Sequence, residues 1–134
     1  MLKFIARAAL SSVFVYAGQA AAREPGGRGK AVQKLAKQVG ISLDDKEAGT
    51  VVKLNGGVMT VFGLTLALGI FPKLSALALI GSLVPTTVAG HAFWEETDPD
   101  ARQMQATQFA KNAGIIGGLM LVILGGGKAA DGSK

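Results

Sequence analysis

The chain has 134 residues, of which 49% are hydrophobic and 17% charged; it has no cysteine and a formal net charge of +5. The missing cysteine excludes disulfides, thiol redox chemistry and cysteine-ligated metals. The positive charge does not indicate nucleic-acid binding, because no basic run is interleaved with aromatic residues as a base-stacking surface requires.

The apolar residues form four blocks, at 4–22, 51–71, 74–94 and 109–124, each about long enough to cross a bilayer. A hydrocarbon core needs about 20 apolar residues as a helix. The clearest block, LSALALIGSLVPTTVAGHAF from position 74, carries no charge. Four spans leave little chain for a water-soluble core, so one membrane domain over 1–134 is expected. The expected fold is an all-α integral membrane protein. It is an up-down four-helix transmembrane bundle with a short amphipathic interfacial helix in the first loop.

The first block follows Lys3 and Arg7 and ends in Gln19-Ala20-Ala21-Ala22, which has the look of a signal peptide. With three more spans behind it, it is read as the first span, Arg7 snorkelling to the interface. Pro25-Gly26-Gly27-Arg28-Gly29 then breaks the helix. The segment 30–39, KAVQKLAKQV, places Val32, Leu35, Ala36 and Val39 on one side and Lys30, Lys34 and Lys37 on the other. That spacing predicts a basic amphipathic helix in the lipid headgroup region, ended by Gly40.

Ser42 is the expected cap of the second long helix, with Asp45 three residues on and the bilayer entered near Lys53. Pro72-Lys73 is the expected tight turn between spans two and three. Pro85 lies inside span three, which membrane helices tolerate. Asp98 and Pro99 predict the start of the fourth helix, which ends at Gly125-Gly126-Gly127 before a polar tail. Both termini then share one side. Loops one and three carry more Lys and Arg than the opposite side, and the positive-inside rule leans toward cytoplasmic loops.

Few residues offer chemistry. His91 is the single histidine, near the end of span three and followed by Trp94. An intramembrane ionisable group is a functional candidate by default, and histidine relays protons or hydrogen-bonds a quinone carbonyl. The bland alternative is an interfacial His91 bonded to the third loop, with Trp94 as an aromatic-belt anchor. A buried Asn55 needs interhelical hydrogen bonds, and Gly56 and Gly57 beside it permit close helix packing. Lys111 and Asn112 open span four; Lys111 could meet the acidic loop, a lipid phosphate or a pocket with His91. Gly114 and Gly118 give a small-xxx-small packing spacing. One histidine without cysteine or intramembrane carboxylate makes a metal site unexpected. No catalytic set is legible.

Three stretches carry a resemblance: residues 55–69 (NGGVMTVFGLTLALG), 83–94 (LVPTTVAGHAFW) and 109–119 (FAKNAGIIGGL). From about span two to span four the chain resembles the DoxX family of small four-span membrane proteins, most specifically in His91-Ala92-Phe93-Trp94 and Lys111-Asn112. The resemblance implies a multi-pass protein of the bacterial inner membrane, similar to the small subunit of thiosulfate:quinone oxidoreductases. It also implies a partner of oxidoreductase, superoxide dismutase or sulfurtransferase type.

The leading expectation is a membrane subunit or docking partner of an oxidoreductase complex, not catalytic alone. A quinone pocket would use His91 as hydrogen-bond donor, with Asn55, Trp94, Lys111 and Asn112 around it. Electrons would come from a partner's flavin, haem or thiol, and no cofactor is expected to be bound covalently. The alternatives are a small-molecule or lipid-handling membrane protein, or a structural assembly factor whose glycine faces pack a partner or a second copy. Membrane lipids are expected partners and nucleic acid is not.

Overall fold

The computed structural model describes residues 1–125; the polar tail after Gly125 lies outside the described residues. The described residues form five α-helices and no strand: α1 (Leu2–Arg23), α2 (Arg28–Gln38), α3 (Asp45–Leu68), α4 (Pro72–Gly90) and α5 (Pro99–Gly125). A short 3-10 turn, Phe93–Glu95, lies between α4 and α5. The four longer helices are each long and apolar enough to cross a membrane.

Several helix ends differ from expectation. The cap of α3 is Asp44 instead of Ser42: the Asp44 side chain accepts from Glu47 N (2.7 Å), and Glu47 Oε2 accepts from Asp44 N (2.9 Å). A Glu at the third position reaches back to the cap, which the shorter Asp45 does less well behind Ser42. At its other end α3 stops at Leu68, because Gly69 adopts φ +75° and Ile70 N bonds back to Thr65 O at 2.8 Å. This is the Schellman closure that a left-handed glycine allows. The turn is therefore Gly69-Ile70-Phe71, and Pro72 is the first residue of α4. The α-helical part of span three, α4, ends at Gly90 with His91 as its C-cap, while the apolar segment runs on to Glu95. The expected start of α5 holds, since Asp98 Oδ2 accepts from Ala101 N at 3.0 Å.

Helices α1 and α3 pack antiparallel on an intimate seam. Arg7, Ser11, Phe14, Gly18 and Ala21 follow one another at steps of four and three on α1, and all but the half-buried Arg7 are buried. Gly56 and Gly63 answer them from α3. A Cβ on Gly56 would stand 2.6 Å from both Gly18 O and Ala22 N, and one on Gly18 would stand 2.7 Å from Gly56 O. Backbone meets backbone here, so only glycine fits. This is how membrane helices gain van der Waals contact without a hydrophobic driving force between them. The core of Phe14, Met59, Leu66, Ala76, Leu79, Leu83 and Leu119 closes around that seam.

Helix α4 packs antiparallel to both α3 and α5, joined by side-chain hydrogen bonds described below. Helix α2 lies against α3 and α4. Gly40 (φ +83°) ends its last turn as expected, with Ile41 N bonding to Ala36 O at 2.8 Å.

Candidate functional site

Adjacent threonines on α4 divide the bundle's polar interior in two. Successive residues of a helix point about 100° apart, so Thr86 and Thr87 address different neighbours. Toward α3, Asn55 Oδ1 accepts from Ser82 Oγ (2.7 Å) and Asn55 Nδ2 donates to Thr86 Oγ1 (3.3 Å). Toward α5, the buried Asn112 donates through Nδ2 to Thr87 Oγ1 (3.1 Å). Both threonines also donate to carbonyls one turn back, Thr86 to Ser82 O and Thr87 to Leu83 O, each at 2.7 Å. Asn55 is thus satisfied by interhelical bonds, as its position in an apolar span demands.

One turn beyond Thr87, at the α4 C-cap, His91 is half-buried and bonded to α5. Its Nδ1 lies 2.7 Å from Gln105 Oε1. An amide oxygen only accepts, so Nδ1 carries the hydrogen in this arrangement and Nε2 is left as an acceptor. Beside it Phe93, Trp94 and Phe109 meet edge to face, with centroids 5.2, 5.4 and 5.8 Å apart. That geometry aligns ring edges with ring faces and rigidifies the turn. Trp94 remains 48% exposed, enough to offer a face to a ligand or lipid.

The five residues expected around one pocket are therefore not brought together. His91, Trp94 and Asn112 stand along the α4–α5 contact. Asn55 belongs to the α3–α4 contact. Lys111 is exposed and makes no ion pair among the described residues. A cavity of about 60 Å³ does open near Trp94, but between α2 and α4, lined in part by Lys34, Leu35, Val88 and Glu95.

The remaining assignments divide as well. Gly56 lies against the α1 backbone and Gly118 receives Leu10, whose Cδ1 would lie 3.3 Å from an added Cβ. Gly57 and Gly114 have nothing within 4 Å of an added Cβ, so they pack against no other element among the described residues. Lys34 forms an ion pair with Glu95, whereas Lys30 and Lys37 remain exposed. The residues missed at the site are Gln105 and Phe109. They precede Asn112 at steps of four and three, so the same helical face could have been read from the sequence.

The model of the DoxX family matches residues 2–92. That range takes in α1, which the motif resemblance left out, and stops short of Trp94 and the Lys111-Asn112 pair. No curated protein and no solved structure matches the chain. With four helices of membrane-spanning length and a family match over most of its residues, the chain is a multi-pass membrane protein that belongs to the DoxX family.

Proposed function

We propose that this chain is the membrane subunit of an oxidoreductase complex in a bacterial inner membrane, docking a redox partner and holding a quinol headgroup at His91. In this reading α1, α3, α4 and α5 cross the bilayer up-down-up-down, and α2 lies at the interface. The observation that carries it is the His91–Gln105 bond beside the aromatic trio. Gln105 fixes the imidazole tautomer, so Nε2 is suited to accept from a quinol hydroxyl. A quinone carbonyl instead needs a donor, which this imidazole becomes once Nε2 takes up a proton. One histidine thus serves both redox forms of the headgroup, and Trp94 and Phe109 supply flat apolar surface for its ring.

The docking half of the proposal draws on α5, the least covered of the four long helices. Ala110 and Gly114 are exposed on it, with nothing near Gly114. A partner helix could approach this face closely, as α1 and α3 approach each other.

The test is mass spectrometry on the protein extracted in native lipid from its host at native expression, scoring co-purifying proteins and isoprenoid quinone together. A stoichiometric redox protein with retained quinone is expected. A lipid-only preparation with neither would overturn the proposal and favour lipid handling.

A further inference from the structure

Helix α2 is held on its two sides by different means. On the α3 side the attachment is covalent and polar. Residues 24–27 tie α2 to α1 and residues 39–44 tie it to α3, the two helices of the glycine seam. Gln33 Nε2 donates to Leu43 O (3.2 Å) and to Asp45 Oδ1 (2.9 Å), at the start of α3. Gly29 lies over Ala48, which is fully buried; a Cβ on Gly29 would stand 3.8 Å from the Ala48 Cβ. The larger share of α2 packing is on α3.

On the α4 side no chain segment ties α2 down. The two surfaces also fail to close on each other. Ala31 and Leu35 of α2 face Val88 and Ala89 of α4, and Ala92 and Trp94 beyond its end, across a cavity of about 60 Å³. A packed interface holds few voids of that size, and the lining atoms forfeit the dispersion contacts a filled one would give. What spans the gap is an ion pair from Lys34 to Glu95, both in the cavity wall. It is the one ion pair among the described residues. Both partners are well exposed, so the pair is weak and is screened by salt. Helix α2 is also the one helix of the five with no buried residue, so lifting its α4 edge uncovers little core. Few buried contacts and an exposed polar fastening are the marks of an element that opens locally.

We infer that α2 is a lid, hinged on α3 and closed over the cavity beside Trp94, with Lys34–Glu95 as its latch. Opening bares the α2-facing side of Trp94 and joins the cavity to its surroundings, and ionic strength shifts the balance. The inference concerns the position of α2 and stands apart from the reading of His91, whose partner Gln105 lies on α5.

The chain has no cysteine, so spin labels go only where cysteines are placed. The experiment is pulsed electron paramagnetic resonance on the full chain in phosphatidylcholine nanodiscs, labelled at Lys37→Cys and Thr97→Cys, both exposed positions. A main short distance is expected, with a minor population longer by roughly 5 Å, half a helix diameter. Glu95→Gln should raise the longer population up to about fivefold, the factor that one exposed ion pair supports. Lys34→Glu should raise it further, and the charge swap Lys34→Glu with Glu95→Lys should restore the short distance. Molar salt should open the otherwise unsubstituted chain and leave Glu95→Gln unchanged. A second label pair, Lys37→Cys and Lys46→Cys, spans α2 and α3 and should keep its distance throughout. A 37–97 distance that no variant and no salt changes would overturn the inference. So would an opening that the charge swap does not reverse, or a 37–46 distance that lengthens with it, since α2 would then be detaching and not hinging.

Discussion

The α1–α3 contact and the α4–α5 contact solve the same problem by opposite means. Between α1 and α3 side chains are removed: at Gly18 and Gly56 the backbones touch and nothing but a hydrogen atom fits, and Gly63 sits tightly against Val15 and Phe14. Between α4 and α5 side chains are kept and made polar, with Asn112 bonded to Thr87 and Gln105 to His91. The first contact leaves no room for a ligand and has no titratable group except Arg7 at its end. The second places an ionisable ring and three aromatics where the chain leaves the span. Shape holds one half of the bundle, and chemistry is available in the other.

The comparison can be broken most severely at the glycine seam. Gly56→Ala would push a methyl into the α1 backbone, and overpacking of this kind costs about 1–3 kcal/mol. Reversible unfolding in mixed micelles should register that loss. Asn112→Leu should cost less. Thr87 keeps its bond to Leu83 O, and hydrogen bonds between membrane helices average about 0.6 kcal/mol. If Asn112→Leu proves the more damaging change, the division between the two contacts is wrong. Gly57→Ala sharpens the contrast with its neighbour: it faces open space, and alanine in a helix is favoured over glycine by about 0.5–1 kcal/mol. The same assay should show unchanged or slightly raised stability. The smallest effect is expected at Lys34→Gln, which removes an ion pair with side chains 59% and 36% exposed. Such pairs contribute about 0–1 kcal/mol, and the difference from wild type should vanish in high salt.

The spans were legible because a run of about 20 apolar residues matches, as a helix, the thickness of a hydrocarbon core. The ends were less so. Apolar character runs on through Ala92-Phe93-Trp94, so composition could not register that α4 stops at Gly90 and frees His91 to reach Gln105. Helix direction was equally hidden. Asn55 and His91 were expected around one pocket, but Thr86 and Thr87 send their bonds to α3 and α5 separately. Glycine identity did not distinguish Gly56 from Gly57. The seven-residue step shared by Ser11 and Gly18 and by Gly56 and Gly63 was the available signal, and it marks the seam.

The central claim is that ligand chemistry belongs to the α4–α5 contact and to His91. It is tested most directly by measuring isoprenoid quinone and quinol retained in native lipid by wild type, His91→Ala and Asn55→Ala, all at equal helix content. Retention lost at least tenfold in His91→Ala and kept in Asn55→Ala is the expected result. Undiminished retention in His91→Ala, or loss in Asn55→Ala alone, would contradict it.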